Sequence, residues 1–532
     1  MSSLNVFKGR SLNVIDDFSI DERRYFFKKV SELKNAIILN DTKTQDKFRI
    51  NNPDFGIYEV FIENSTRTKE SFRNAAKFHH VKTSELITSS SSINKGESYA
   101  DTFNTLSGYQ NSIFIVRSTV EGLTKYLSEE TKDYCSRNSL LFAPSFINAG
   151  DGKHEHPTQE LLDEFSFLEN LNMDFSSIHL ALVGDLYHGR TVHSKTNGLK
   201  LFDKVKVDLV APDELQLPLE YLEKMKENGF KIRIFKSIEE YLSSSDVAKI
   251  WYFTRPQLER MGEKVLSKAS VLRESITFKK EFVSKINPNT KFYHPLPRHK
   301  EFPTIPAWLD STSFNGWESQ SINGYYCRIV LIGLLAGVIG DDYKKSSNGK
   351  DKNFTADDEK YIVEVDCSKK SKSDKEYAEG IRPIKSGLVI DHICKGEPPS
   401  AIRAHINVIL KVLQLENLRG GQWISKGKDG QYKGIIFIPE YRDLEVKELK
   451  RLAAVASGAT LNIIKDSRVY KKFRTHIPPR IYNFDDLCCK NENCITNPKN
   501  LENVQSYFNR TPDGHFECKY CGHFHTFKDI WN

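Results

Sequence analysis

Apolar runs of strand length alternate with amphipathic stretches of helix length from about residue 20 to residue 340. The strand-like runs include YEVFIE (58–63), NSIFIV (111–116), IHLALVGD (178–185), KVDLVAP (206–212) and KIWYFT (249–254). Alternation of this kind is typical of parallel sheets covered by helices. The span is long enough for two doubly wound α/β domains, and we expect them to meet near residues 148–152.

The sequence changes character after residue 340. Residues 341–380 are polar and charged, which predicts a flexible linker. Beyond it, three predicted strands at 387–393, 434–441 and 459–464 bracket helical patterns at 398–416 and 444–457. This order predicts an α+β, ferredoxin-like domain, followed by a small cysteine-rich β domain. The expected divisions are therefore 1–149, 150–340, 341–380 (linker), 381–477 and 478–532.

Composition narrows the functional classes. The 532 residues are 39% hydrophobic and 11% aromatic, enough for several packed cores. The net charge is only +7, whereas a dedicated nucleic-acid binder concentrates more positive charge. The longest apolar run, Ile329 to Ile339, is too short to span a membrane and predicts a buried helix. The N-terminal sequence lacks the apolar core of a secretory signal, so we expect a cytoplasmic protein.

Ser65-Thr66-Arg67-Thr68 directly follows the first of these strand-like runs and opens a helical pattern. Backbone N–H groups, hydroxyls and the helix dipole meet where a strand turns into a helix in this way. Arg67 adds a planar donor that matches phosphate oxygens, so the motif predicts an anion site. The alternative is a plain helix cap beside a surface arginine.

His156-Pro157-Thr158-Gln159 follows the loop NAGDG (148–152) and opens another helical pattern. A histidine and an amide one helical turn apart can donate to a carbonyl oxygen and accept from an amide NH₂ group. Most single histidines are structural. This one lies in a glycine-containing loop rather than on an apolar face, which favours a binding role.

With these two motifs, the chain resembles aspartate carbamoyltransferase. SxRT, HPTQ, VGDLxxGRTVHS (183–194), TRPQ (254–257) and HPLPR (294–298) occur in the order of that family. The related ornithine enzymes have cysteine where Thr158 and Pro295 stand here. The segment SSINKGES (91–98) also resembles the serine-and-lysine loop of the aspartate enzyme. The resemblance implies transfer of the carbamoyl group of carbamoyl phosphate to L-aspartate, a step of pyrimidine biosynthesis.

The resemblance also implies a role for each matching residue. The predicted catalytic residues are Arg67, Thr68, Lys95, Arg117 and His156. The carbamoyl phosphate site would add Ser65, Thr66, Ser91, Gln159 and Leu296, the last through its backbone carbonyl. The aspartate site would consist of Lys95, Arg190, Arg255 and Gln257. Glu63 and Arg260, with Arg190, would close the two lobes over the substrates.

The same resemblance implies an oligomer. In the family, the serine-and-lysine loop enters the active site of a neighbouring subunit, so Ser91 and Lys95 would act in trans. A catalytic trimer is then the minimum assembly. Whether two trimers pair through regulatory domains stays open.

Nine cysteines, five of them near the C-terminus, favour a metal site in a reducing compartment over a disulfide framework. Cys489-x4-Cys494 and Cys518-x2-Cys521 have the spacing of a tetrahedral zinc site, with one structural Zn²⁺ per chain. Cys488 and His523 are alternative ligands. Residues 381–532 resemble the regulatory chain of aspartate carbamoyltransferase in the segments IDHI and PPRIYNF (478–484) and in the cysteine spacing. The resemblance therefore implies a natural fusion of a catalytic chain with a regulatory chain.

The regulatory chain of the family binds nucleoside triphosphates through an aspartate and two lysines. Asp391 and Lys472 match two of these, while Phe437 occupies the place of the other lysine. A missing cation weakens a polyphosphate site, so we expect weak or altered nucleotide control.

Three other interpretations of the sequence are a transcarbamylase for another amino acid, a zinc-ribbon nucleic-acid binder and a regulatory pseudoenzyme. The Lys95 loop and the paired arginines disfavour the first. The dispersed substrate arginines and the lack of a basic stripe disfavour the second, and the intact site residues disfavour the third.

Overall fold

The computed structural model describes residues 5–87, 91–109, 111–257, 268–345, 361–366, 384–413, 415, 420–427, 429–440, 446–484 and 487–531. The chain divides into two compact units. One unit comprises residues 1–351 with 493–495, and the other comprises residues 352–492 with 496–532.

The first lobe of the first unit is built on a four-stranded parallel sheet in the order β2-β1-β3-β4. Strands β3 and β4 are almost wholly buried, as expected for parallel strands covered by helices on both faces. The lobe contains α1 (Ile20–Ile38), α2 (Thr42–Asp46), β1 (Gly56–Phe61), α3 (Thr66–Phe78), β2 (Lys82–Leu86), α4 (Tyr99–Gly108), β3 (Asn111–Ser118), α5 (Leu123–Arg137), β4 (Ser145–Asp151) and α6 (Pro157–Asn170).

The second lobe has a five-stranded parallel sheet in the order β7-β6-β5-β8-β9. Two doubly wound parallel sheets were predicted, and both are present. The lobe contains β5 (Ser177–Val183), α7 (Arg190–His193), α8 (Lys195–Gly198), β6 (Lys204–Val210), α9 (Leu219–Glu227), β7 (Lys231–Phe235), α10 (Ile238–Leu242), β8 (Ile250–Phe253), α11 (Ala269–Ile276), β9 (Lys291–Tyr293) and α12 (Trp317–Ala336).

Helix α12 returns the chain to the first lobe, where it packs against α1, α3 and α6. Residues 329–335 on this helix are all buried, which confirms the predicted buried helix. The helix ends at Gly337, whose φ of +78° is in the left-handed region that glycine favours. A continuous hydrophobic core includes residues from Phe7 to Ile339 and runs through both lobes. The two sheets therefore pack into the same core.

The strand order reverses between β1 and β3 in the first lobe and between β5 and β8 in the second. Ligands of open α/β sheets bind at the carboxyl ends of the strands at such reversal points. The segments that leave these strands carry the motifs SxRT, VGDLxxGRT and TRPQ. Gly184, just after β5, has φ +120°, and a Cβ there would collide with the Thr254 carbonyl oxygen after β8. Glycine therefore lets these two segments approach closely.

The second unit contains a six-stranded antiparallel sheet in the order β10-β15-β14-β11-β13-β12. Its central β-α-β-β-α-β order, from β11 to β14, is ferredoxin-like, as predicted. Its elements are β10 (Ile362–Glu364), β11 (Gly387–Ile393), α13 (Pro399–Val412), β12 (Gly421–Lys426), β13 (Tyr432–Pro439), α14 (Val446–Val455), β14 (Thr460–Lys465) and β15 (Arg468–Thr475). The predicted linker contains one of these strands, because residues 362–364 pair antiparallel with β15.

The C-terminal module has a small antiparallel sheet in the order β16-β17-β18-β19. Its elements are β16 (Arg480–Tyr482), β17 (Tyr507–Arg510), β18 (Phe516–Cys518), β19 (Phe524–His525) and α15 (Phe527–Trp531). None of the helices in the described ranges is long and apolar enough to cross a membrane.

Candidate active site

A cavity of about 930 Å³ opens where the strand order reverses in the two lobes of the first unit. Residues from all five of the predicted motifs face it from both sides. The predicted site residues that line the cavity are Glu63, Ser65, Thr66, Arg67, Thr68, Arg117, His156, Gln159, Arg190, Arg255, Gln257 and Leu296.

The N-terminus of α3 points its first turn at one end of the cavity. Ser65 caps this helix in an extended backbone conformation, and its hydroxyl donates to Thr68 Oγ1 at 3.0 Å. The helix is 13 residues long, so its dipole and free N–H groups favour an anion there. Burial lowers the pKa of Arg67, but a guanidinium stays charged at neutral pH.

Arg117 lies at the end of β3 and is almost fully buried. Its Nη1 donates to the Ala149 carbonyl oxygen at 2.9 Å, and its Nη2 lies 3.3 Å from Glu63 Oε2. Burial, assisted by the nearby Arg190, lowers the pKa of Arg117 to about 10. The side chain therefore remains a fixed cation at the floor of the cavity.

An ion pair crosses between the lobes at the cavity wall. Arg190, at the start of α7, donates from Nη1 to Glu63 Oε2 at 3.0 Å and to the Gly152 carbonyl oxygen at 2.8 Å. Its Nη2 lies 3.3 Å from Glu63 Oε1. The third member of the predicted closure set, Arg260, lies outside the described residues.

His156 is the N-cap of α6 and is 4% exposed. Its backbone N–H donates to Ser194 Oγ at 3.2 Å, which holds the start of the helix against the second lobe. Burial, together with Arg117, Arg190 and Arg328, keeps the pKa of His156 well below its ordinary value. The imidazole is therefore neutral and can donate one N–H to a substrate oxygen.

Gln257 and Arg255 follow β8 on the second-lobe side of the cavity. The Gln257 backbone N–H donates to Asp185 Oδ2 at 2.8 Å, and its Nε2 lies 3.4 Å from the His188 carbonyl oxygen. Asp185 also accepts from the His188 backbone N–H at 2.9 Å. The buried carboxylate thus ties the TRPQ segment to the loop after β5.

Comparison with known proteins assigns the chain along its whole length. Family models match residues 10–169 (aspartate/ornithine carbamoyltransferase, carbamoyl-P binding domain) and 176–326 (Asp/Orn binding domain). Others match residues 379–476 (aspartate carbamoyltransferase regulatory chain, allosteric domain) and 479–531 (metal binding domain). Proteins named PyrBI from Treponema denticola and Thermotoga maritima are 61% and 51% identical, each over 99% of both chains. The chain belongs to the aspartate carbamoyltransferase family.

Solved structures of the family agree with this assignment. A Trypanosoma cruzi aspartate transcarbamoylase in complex with carbamoyl phosphate and aspartate matches with a TM-score of 0.53 at 26% identity, over 62% of this chain and 98% of that one. The catalytic subunit from M. jannaschii matches with a TM-score of 0.52 at 29% identity, over 62% and 98%. The chain is thus an aspartate carbamoyltransferase, an enzyme of pyrimidine biosynthesis, in which a catalytic chain is fused to a regulatory chain.

Several cavity residues of this aspartate carbamoyltransferase were missed by sequence reasoning. Arg328 on α12 is 4% exposed, and burial lowers its pKa to about 10. Among the described residues, its Nε has no hydrogen-bond partner and no carboxylate forms a salt bridge with it. The sequence feature that could have identified Arg328 is its position directly before the long apolar run that predicts a buried helix. The other missed lining residues include His188, His294 and Gln320.

Of the predicted active-site residues that the structure describes, Ser91 and Lys95 do not line the cavity of their own chain. They lie at a 3₁₀ turn spanning Ser92–Lys95, and Lys95 is exposed. Neither lines the cavity formed by the other predicted residues.

The four predicted zinc ligands lie together in the C-terminal module. The Sγ atoms of Cys489, Cys494, Cys518 and Cys521 are all within 4.8 Å of one another, and all four residues are buried. Cys489 and Cys521 are 3.6 Å apart at sulfur. A tetrahedral site with Zn–S bonds of about 2.3 Å has edges of about 3.8 Å, so this donor set fits a metal ion. The cluster does not include Cys488 or His523, but His525 Nε2 lies 3.3 Å from Cys489 Sγ.

The predicted effector residues share one face of the regulatory sheet. Phe437 pairs with Val389, Val389 with Asn462, and Asn462 with Lys472, so these positions form a row across four strands. Asp391 is two residues along β11 and belongs to the same face. Its carboxylate is 2.9 Å from Nζ of Lys433, which lies four residues before Phe437 on the same strand.

Proposed function

We propose that the cavity holds carbamoyl phosphate and L-aspartate together, and that the aspartate amine attacks the carbamoyl carbon directly. The observation that carries this proposal is the meeting of three features in one cavity: the N-terminus of α3, the buried cation Arg117 and the neutral His156. A dianionic phosphate needs the helix N-terminus and the buried cation, and a carbonyl that becomes an oxyanion needs the cation and the neutral histidine.

The phosphate end of the substrate would lie at the first turn of α3. Ser65, Thr66 and Thr68 supply hydroxyl and N–H donors there, while Arg67 and Arg117 supply charge. Arg328 is a further cation facing this cavity, and a bound phosphate would give its buried guanidinium a counter-ion. Carbamoyl phosphate would thus be held by preorganised donors.

In the chemical step, the neutral α-amine forms a C–N bond to the carbamoyl carbon and the carbonyl oxygen takes up negative charge. Thr68, Arg117 and His156 donate to that oxyanion. The C–O bond to phosphate then breaks, the phosphate leaves with the bonding electrons, and it accepts the proton released by the amine. No covalent nucleophile is needed, because positioning and electrostatic stabilisation lower the barrier.

The aspartate carboxylates would bind Arg190 and Arg255, with Gln257 assisting. Arg190 is already paired with Glu63, so it can bridge the substrate and the opposite lobe at once. In this proposal Lys95 and Ser91 reach the site from a neighbouring subunit. The exposed position of their loop, away from its own cavity, supports this arrangement and a catalytic trimer.

We further propose that the metal of the C-terminal cluster is zinc and that its role is structural. Four thiolates are a donor set that zinc prefers, and such a closed site leaves no position for substrate. The face that carries Asp391, Phe437 and Lys472 is the candidate effector site. Phe437 stands there where the family has a lysine, and Lys433 is already paired with Asp391, which supports weak nucleotide control.

The experiment that tests the proposal is an assay of the purified full chain with carbamoyl phosphate and a panel of amine acceptors. L-Aspartate should yield N-carbamoyl-L-aspartate and phosphate in equal amounts, while L-ornithine should yield neither. Product formation with ornithine but not aspartate would contradict the assignment of Arg190 and Arg255 to two carboxylates.

A further inference from the structure

A cluster of five ionisable side chains lies buried directly behind the cavity. Arg23, Glu160, Asp163, Glu164 and Lys195 are each no more than 1% exposed. Lys195 Nζ lies 2.8 Å from both Glu160 Oε2 and Asp163 Oδ2, and Arg23 Nη1 lies 2.7 Å from Glu164 Oε1. Buried ion pairs are a weak source of stability, because desolvation offsets their attraction. A contribution to stability therefore does not explain why three carboxylates and two cations are buried together here.

Asp163 links this cluster to the cavity. Besides Lys195, it accepts hydrogen bonds on Oδ1 from Gln159 Nε2 at 2.8 Å and from Gln320 Nε2 at 2.6 Å. Both glutamines line the cavity. These three partners are all nitrogen donors, so toward each of them the carboxylate acts as an acceptor.

This acceptor fixes which end of the Gln159 amide faces the substrate. The oxygen and nitrogen of an amide have nearly the same shape but opposite hydrogen-bonding roles. Because the carboxylate requires the nitrogen, Oε1 is left as the atom available to the cavity. An oxygen acceptor is what a carbamoyl NH₂ group needs.

The hydrogen bond from Gln320 to Asp163 also orients the HPLP segment. Gln320 Oε1 accepts from the His294 backbone N–H at 2.9 Å. His294 Nδ1 in turn accepts from the Leu296 backbone N–H at 2.8 Å. Leu296, whose carbonyl is the second proposed acceptor for the carbamoyl nitrogen, is therefore tied to the same carboxylate through three hydrogen bonds in series.

We propose that Asp163, held by Lys195, is a positioning residue that makes the site selective for a carbamoyl group. It does so by directing two oxygen acceptors, Gln159 Oε1 and the Leu296 carbonyl, at the substrate NH₂. An acyl phosphate with a methyl group in that place would leave both acceptors unpaired, which is costly in a closed site. This inference rests on the proposed function and specifies how the site recognises its acyl group.

The decisive variant is Asp163→Asn in the full chain. Asparagine has the same shape, but its NH₂ group can donate to Gln159 Oε1 and so allow the glutamine amide to turn over. The measurements are kcat/KM for carbamoyl phosphate and the inhibition constants of acetyl phosphate and inorganic phosphate. The efficiency with carbamoyl phosphate should fall about tenfold or more, while both inhibition constants stay within about twofold.

Glu160→Gln is the matched control, because Glu160 is equally buried and bonds Lys195 at the same distance. It should lower thermal stability as Asp163→Asn does but leave the selectivity unchanged. Gln159→Ala should lose selectivity as Asp163→Asn does. If Asp163→Asn fails to fold, Asp163→Asn/Glu160→Gln/Lys195→Met removes both carboxylate charges together with the lysine that they share, and it is measured in the same way.

Unchanged selectivity in Asp163→Asn, or an equal loss in Glu160→Gln, would overturn the positioning role while leaving the proposed reaction intact. Wild-type protein without carbamoyl transfer would overturn both. An active wild type whose Gln159→Ala variant keeps full selectivity would show that the amide does not meet the carbamoyl nitrogen.

Discussion

Glu63 and Arg190 are joined across the crevice by two hydrogen bonds, of 3.0 and 3.3 Å between the carboxylate oxygens and the guanidinium nitrogens. Arg117 Nη2 lies 3.3 Å from the same carboxylate. One acidic side chain therefore balances a cation of each lobe. Without it, two guanidiniums would face each other across the cavity.

The first prediction is that Glu63→Gln lowers kcat/KM for aspartate about 10- to 100-fold, as expected for loss of charge-assisted hydrogen bonds. The effect should be larger on aspartate than on carbamoyl phosphate, because Arg190 would lose its orientation. Steady-state kinetics with each substrate varied will measure this. Glu70→Gln is the control, since Glu70 lines the same cavity but pairs with Arg73. Equal effects of the two substitutions would contradict a specific role for Glu63.

The second prediction concerns the cations at the phosphate end. Arg67→Ala and Arg117→Ala should each reduce kcat about 10²-fold or more, as for loss of an oxyanion donor. Arg73→Ala, on the same helix as Arg67 but bonded to Glu59 and Glu85, should stay near the wild-type rate. Near wild-type turnover in both active-site variants would defeat the site assignment.

The third prediction is complementation between subunits. A Lys95→Ala chain and an Arg67→Ala chain should each be inactive, yet a mixture that forms mixed trimers should regain part of the activity. The recovery arises because some shared sites then contain both residues. Mixing Lys95→Ala with a Lys95→Ala/Arg67→Ala chain should recover nothing. Mass-verified mixed trimers of the first pair that remain inactive would mean that the loop acts within its own subunit.

The fourth prediction is that the C-terminal cluster holds one zinc ion per chain. A structural zinc site supplies roughly 10–16 kcal/mol of apparent binding energy, so chelation should unfold this module. Elemental analysis should find zinc in wild type and in Cys488→Ser, but not in Cys489→Ser. Undenatured protein without zinc would rule out the assignment, and loss of metal in Cys488→Ser would show that the ligand set differs.

The fifth prediction is weak nucleotide control. Lys433 is already paired with Asp391, and Phe437 cannot replace the charge of a lysine. Aspartate saturation curves should shift little with millimolar ATP, CTP or UTP, and calorimetry should detect weak binding that Lys472→Ala abolishes. Micromolar binding of CTP with strong inhibition would show that the charge argument is wrong.

The two parallel α/β lobes, the ferredoxin-like unit and the pairs of cysteines could all be predicted from the amino-acid sequence. Each of these depends on local patterns: apolar runs of strand length, helical periodicity or short ligand spacing. Strands such as β2, with the sequence KTSEL, were missed because an exposed edge strand lacks the apolar signal. The ordered motifs also named most of the residues that line the cavity.

The support of those residues depends on contacts between elements that are far apart in the chain. Asp163 and Gln320 are 157 positions apart, and they meet because α12 returns from the second lobe to pack on α6. Arg328 faces the cavity for the same reason. No local pattern carries that information, since a long-range contact depends on how separate elements pack. The motifs therefore specify which groups face the substrate, and the packing of α6 and α12 specifies how those groups are oriented.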